Sequence, residues 1–170
     1  NQEDADTVGA GLKEIGFWAV YRVGRAAELV SDATRRLLAG GAIPKPVLSS
    51  ACPAVLRLIR VRFPELIDHV LPLHAPVELA ARLAKQEALA AGVPEEDIGC
   101  IFITPCPAKV TAIRMPIGAE KSEINATVAV TKVYPSQISI IEKRPAAKSP
   151  TTGRIGHSWG ETCGEVAGLI

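Results

Sequence analysis

Two short stretches constrain the fold more than anything else in the chain. "VLSSACPA" (47–54) and "FITPCPAK" (102–109) each run from an apolar strand through a short polar turn into Cys-Pro-Ala. Proline costs nothing at the first helical position, because the first N–H groups of a helix have no internal partner. The cysteine therefore ends the strand and the proline opens the next element. Units of this kind point to a mainly parallel sheet with helices against its faces.

The remaining segments alternate in the same way. Residues 5–15 read as a helix closed by Gly16, and "FWAVYRV" (17–23) reads as a strand in which Trp18 is half-buried packing. Ala26, Val30, Ala33 and Leu37 recur at helical spacing before Gly40-Gly41 stops the helix. "KPVLSS" (45–50) reads as a second strand, followed by a helix from Pro53 whose buried stripe is Val55, Leu58 and Ile59. A short helix is expected over 63–71. Pro76 opens a further helix to about Ala91, with Leu79 and Leu83 inward and Glu78 paired with Arg82 at i,i+4. "IGCIFITP" (98–105) reads as a strand covered on both faces, "INATVAVTKVY" (124–134) as another strand, and 135–142 as a short helix. The expected architecture is α/β, two small lobes of mainly parallel sheet flanked by helices. The first lobe segment is 1–75, the second 76–143, and a Gly/Pro-rich tail without its own core occupies 144–170.

Composition narrows the function classes. The formal net charge is +1, so no basic surface announces a nucleic-acid partner. Arg57, Arg60 and Arg62 read as a solvated helix face. No apolar run is long enough for a membrane span, and the acidic N-terminus is unlike a signal peptide. Four cysteines, Cys52, Cys100, Cys106 and Cys163, are too widely spaced for a secreted disulfide scaffold. A cytoplasmic setting with reduced thiols is the expectation.

Ligands of parallel α/β sheets bind beyond the carboxyl ends of strands, where Cys52 and Cys106 both fall. The start of a helix also favours the thiolate, which is the form that ligates metal. Against this stands the ordinary use of cysteine as a small buried hydrophobe, and the lack of Cys-x-x-Cys spacing. Two cysteines supply only half the ligands of a [4Fe–4S] cluster. His69, His74 and His157 read as structural or solvated, and Glu28 with Asp32 as an exposed helix pair. Ser49 and Ser50 have no His–Asp pair in view, and "GAGLKEIG" follows no strand, so no dinucleotide turn is expected.

"SSACPAVLRLIRVRFPEL" followed by "ITPCPAKVTA" resembles the catalytic domain of the iron-only, or [FeFe]-, hydrogenases. That family carries Thr-Ser-Cys-Cys-Pro, then a Tyr/Phe-Pro-Glu-Leu stretch, then Met-Pro-Cys-x-x-Lys-x-x-Glu. "LKEIGFWAVYRVGRAAELVSDAT" and "KVTAIRMPIGAEKSEINATVAVTKVY" resemble the flanking segments, so the likeness spans about 8–142. It implies an H-cluster, a [4Fe–4S] cubane joined to a diiron unit, held between two α/β lobes. Cys52 and Cys106 match cubane ligands, and Lys109 matches the lysine that contacts a cyanide of the diiron unit. The implied partners are hydrogen and a ferredoxin-like electron donor or acceptor.

The departures shape the functional expectation. Ala51 stands where catalytic members have the proton-passing cysteine, and Ala112 where the second motif has Glu. The third motif, with its two cysteine ligands, does not appear, and Cys163 is not assigned to it. The chain reads as a truncated piece of a divergent, sensory-like hydrogenase, whose intact parent reacts with hydrogen slowly or senses it. By itself the piece is expected to be inactive and to hold neither cluster complete. The alternatives are a regulatory electron-transfer module with a [4Fe–4S] cluster and no diiron unit, or a cluster-free α/β binding domain.

Overall fold

A computed structural model describes residues 5–117, 121–143, 159 and 164–167. Its elements run α1 (Ala5–Glu14), α2 (Val23–Gly40), α3 (Pro53–Arg62), a 3-10 turn (Pro64–His69), α4 (Pro76–Ala90), a second 3-10 turn (Glu95–Asp97), β1 (Ile101–Thr104), α5 (Pro107–Arg114), β2 (Ala126–Ala129), α6 (Val130–Ile141) and α7 (Gly164–Ala167). The class is mixed α/β. β1 and β2 pair in parallel, with Ile101 opposite Ala126 and Thr104 opposite Ala129.

Helix ends follow local chemistry. Gly41 takes φ +64° and its N–H reaches Leu38 O at 3.3 Å, closing α2 in a conformation that glycine adopts at little cost. Prolines at the first turn open α3, α4 and α5. α2 packs on α4, and many of the buried residues of the two helices are small: Ala26 and Ala27 in α2, Ala80, Ala81 and Ala88 in α4. Beside it, Val77, Ala81 and Ile124 form a core cluster, with Val23, Phe102 and Ile113 packed against it.

Several expectations are corrected. Residues 17–22 form no strand and have no strand partner among the described residues; Trp18 is 68% exposed. The strand at 45–50 shrinks to one parallel bridge, in which Leu48 N donates to His69 O and Leu71 N to Leu48 O. The expected helix over 63–71 is the 3-10 turn Pro64–His69. β1 is shorter than 98–105, and it is not covered on both faces, since Ile101 is 47% exposed.

The strand expected over 124–134 ends at Ala129, and α6 takes over from Val130 despite Pro135 within it. α6 packs on α1 and buries Gln137 over Gly11, and such tertiary packing outweighs the weak strand preference of Val130, Thr131 and Val133. In α3, Ile59 is buried, but Val55 and Leu58 lie exposed; the inward face is Pro53, Leu56 and Ile59 at three-residue spacing. Leu79 and Leu83 are only half-buried, because the face of α4 that meets α2 needs small side chains. Glu78 does not pair with Arg82. Its carboxylate accepts from Ser122 Oγ at 2.7 Å and from Glu123 N at 2.8 Å, while Arg82 reaches Glu123 at 3.2 Å.

Candidate functional site

The two Cys-Pro-Ala turns adopt nearly the same backbone. Cys52 has φ −99° and ψ 107°, and Cys106 has φ −96° and ψ 110°; each is the residue before its helix. Each cysteine carbonyl accepts the first helical hydrogen bond, from Leu56 N at 3.1 Å and Val110 N at 3.3 Å. The helices they open, α3 and α5, pack on one another. Arg57 ties them further, its Nη2 donating to Met115 O at 2.6 Å, so this arginine is not simply part of a solvated face. Cys52 is exposed and Cys106 half-buried.

A cavity of about 180 Å³ opens beside these turns. Ser50, Ala51 and Pro53 of the first turn and Lys109, Ala112 and Ile113 of α5 line it together. The two alanines at which the chain departs from the hydrogenase motifs thus share one cavity with the matching lysine. The two cysteines are absent from its lining. His74, Arg82 and Lys121 also reach it, and sequence reasoning did not place them there. The clamp of Glu78 on Ser122 and Glu123 holds the loop before Ile124 against α4 at its edge.

The other sequence candidates lie elsewhere. A hydrogen bond of 3.0 Å joins His69 Nδ1 to Pro46 O, a structural role. Asp32 pairs with Arg35 on exposed α2 surface. His157 and Cys163 lie outside the described residues. Cys100 sits half-buried behind the core cluster, its thiol facing Ala81 O at 3.8 Å. Burial pushes its pKa up, against the pull of nearby Lys85 and with a smaller push from Glu123. A raised thiol pKa means less thiolate at any given pH. Alkylation of Cys100 should therefore lag that of exposed Cys52 near neutral pH and accelerate only in more alkaline buffer. Peptide mapping after pulsed iodoacetamide at several pH values checks this; equal rates for the two at pH 7 would contradict it.

Comparison with known proteins bears on this site. Residues 2–133 match the family described as "Iron only hydrogenase large subunit, C-terminal domain". The chain belongs to the iron-only hydrogenase large-subunit family. The NADP-reducing hydrogenase subunit HndD of Solidesulfovibrio fructosivorans is 31% identical over 110 residues, which cover 59% of this chain and 19% of that protein. The chain thus spans about a fifth of that relative's length. An apo [FeFe]-hydrogenase HydA1 from Chlamydomonas reinhardtii, bearing a cysteine-to-histidine change, superposes with a TM-score of 0.70 at 18% identity, over 89% of this chain and 41% of that one. A HydA structure described in terms of stepwise H-cluster assembly gives a TM-score of 0.68 at 18% identity, over 89% and 40% of the two chains. These superpositions show a shared fold.

An iron–sulfur group can be tested against the residues present. Two cysteines of matched backbone geometry open two packed helices. Among the described residues no three side chains of His, Cys, Asp or Glu come together as a metal site. A cubane normally takes four thiolates. Among the described residues, then, no complete ligand set for such a cluster is assembled. Among the same residues, no helix is long and apolar enough to cross a membrane.

Proposed function

We propose that the chain is part of an [FeFe]-hydrogenase-like iron–sulfur protein, in which Cys52 and Cys106 supply two thiolates to a [4Fe–4S] cluster. Lys109 is, of the cations lining the neighbouring cavity, the one matching the motif, and its ammonium offers three donors to an anionic ligand such as the cyanide of a diiron unit. The observation that carries the reading is the matched pair of cysteine caps on two packed helices, with Lys109 one turn inside the second.

The intact parent reacts with hydrogen slowly or senses it, exchanging electrons with a ferredoxin-like domain in the cytoplasm. Slowness follows from the cavity wall. Ala51 presents a methyl group where a proton-passing cysteine would be needed, Ala112 one where the motif's Glu would make a polar contact, and losing a positioned proton-transfer group typically costs about 10²–10⁴ in rate. We retain 1–75 and 76–143 as the two lobe segments, each contributing one cysteine.

Anaerobic reconstitution with ferrous iron and sulfide tests the ligand assignment. Cys52→Ser and Cys106→Ser should each lower iron uptake and the visible charge-transfer absorbance severalfold, and Cys100→Ser should not. Unchanged uptake in the Cys52→Ser/Cys106→Ser double variant would leave a cluster-free α/β binding domain as the better reading.

A further inference from the structure

The two cysteine turns match in backbone but differ in what holds them. In the second, Thr104 Oγ1 accepts from Cys106 N at 3.1 Å. Thr104 is only 3% exposed, and its β-branch restricts the rotamer, so packing fixes that oxygen. In the first, Ser49 Oγ accepts from Ala51 N at 3.1 Å. Ser49 is half-buried and unbranched, and a serine hydroxyl can rotate to donate or accept in several directions. Something else must hold it.

That group comes from far along the chain. The Ser49 hydroxyl donates to the carboxylate of Glu165, on the short helix α7. With its single proton directed at Glu165, the serine oxygen keeps its lone pairs for the Ala51 N–H. A bond to a carboxylate is charge-assisted and polarises the serine oxygen into a better acceptor. A second contact places the same region of chain on the first segment: Trp159 Nε1 donates to Ser31 Oγ at 3.0 Å, and Ser31 is 1% exposed within α2. Two hydrogen bonds to separate elements thus bring Trp159 and Glu165 against residues before Pro53.

We propose that Glu165 is a positioning residue for the first cysteine turn, acting through Ser49 to hold the Ala51 amide and so to set the direction from which Cys52 enters α3. The second turn is held one residue later, at the cysteine's own amide, by the buried Thr104. One cysteine is thereby positioned by packing and the other by a carboxylate from the C-terminal region. The value of that positioning for metal binding rests on the ligand assignment above, but the positioning itself can be measured without metal.

Amide-resolved hydrogen exchange on the metal-free 170-residue chain is the direct test. In Glu165→Ala, exchange at the Ala51 amide should accelerate about tenfold, as expected for loss of a bond supported by a charged group. The Cys106 amide, held by Thr104, should keep its rate. Glu165→Gln retains an acceptor oxygen for Ser49 and should preserve most of the protection. Maleimide labelling of Cys52 should rise in Glu165→Ala relative to Cys106 and return in Glu165→Gln. Identical Ala51 exchange in wild type and Glu165→Ala would overturn the proposal. So would equal acceleration at Ala51 and Cys106, which marks general loosening. Neither outcome depends on iron, so a failure here is distinct from a failure of Cys52→Ser to alter iron uptake.

Discussion

Ile124→Ala is expected to lower the unfolding free energy by about 2–5 kcal/mol, the range for truncating a buried aliphatic side chain in a rigid surround. Ile124 is 6% exposed and completes the cluster with Val77 and Ala81. Its surroundings cannot readily collapse into the space left behind. Val77 and Ala81 are fixed on α4, and Phe102 on β1, which is paired along its length to β2. The backbone at Ile124 is fixed too: its N–H donates to Ser122 Oγ at 3.1 Å, and Ser122 and Glu123 are held by Glu78. A cavity created there persists, and its cost adds to the lost transfer free energy. Leu58→Ala is the control. Leu58 is 52% exposed on α3, so its truncation should change stability by no more than about 0.5 kcal/mol. Urea denaturation followed by circular dichroism reads both. A loss below about 1 kcal/mol for Ile124→Ala would show that this cluster is not the main core.

Much of this fold was legible because certain residues act locally. Pro53, Pro76 and Pro107 marked three helix starts correctly, since a proline ring fixes φ and forgoes an N–H whatever the tertiary context. Gly41 marked a helix end for an equally local reason. What failed was decided by neighbours distant in sequence. The residues of "FWAVYRV" have strand preference, yet a strand exists only where another strand accepts its hydrogen bonds, and none does among the described residues. Val130 and Val133 have the same preference, and packing of α6 on α1 overrides it. Apolar periodicity located α3 and α4 but misjudged their inward faces, because which leucines turn outward depends on the small alanines that the partner helix can accept.

The candidate site divides similarly. Cys52, Cys106 and Lys109 were singled out through motif order, and both cysteines prove to be N-cap residues with nearly the same backbone angles. Ala51 and Ala112 were noted as departures from a pattern; only the fold shows that both line one cavity with Lys109. Glu165 and Trp159 carried no sequence signal. Their roles depend on Ser49 and Ser31, more than a hundred residues earlier, and no local spacing encodes such a pairing.

Ligand number leads to the other large effect expected. Iron held by the reconstituted chain should depend on small thiols in solution. With Cys52 and Cys106 as the proposed ligands, the remaining corners of a cubane are left to be capped by whatever thiol the buffer supplies. Such capping ligands bind independently and dissociate independently, whereas thiolates on one folded chain act at high effective concentration. Reconstitution in millimolar dithiothreitol should therefore load iron and sulfide together, and anaerobic desalting into thiol-free buffer should strip about nine-tenths of both within one passage. Colorimetric iron and sulfide assays before and after desalting measure this directly. Cys52→Ser should remove the thiol-dependent fraction at the outset, because a single remaining thiolate has no partner to chelate with. The opposite result is equally informative. Iron surviving thiol-free desalting at a full cubane per chain would require two further ligands, and Cys100→Ser and Cys163→Ser would then identify whether those cysteines complete a set that the described residues do not assemble.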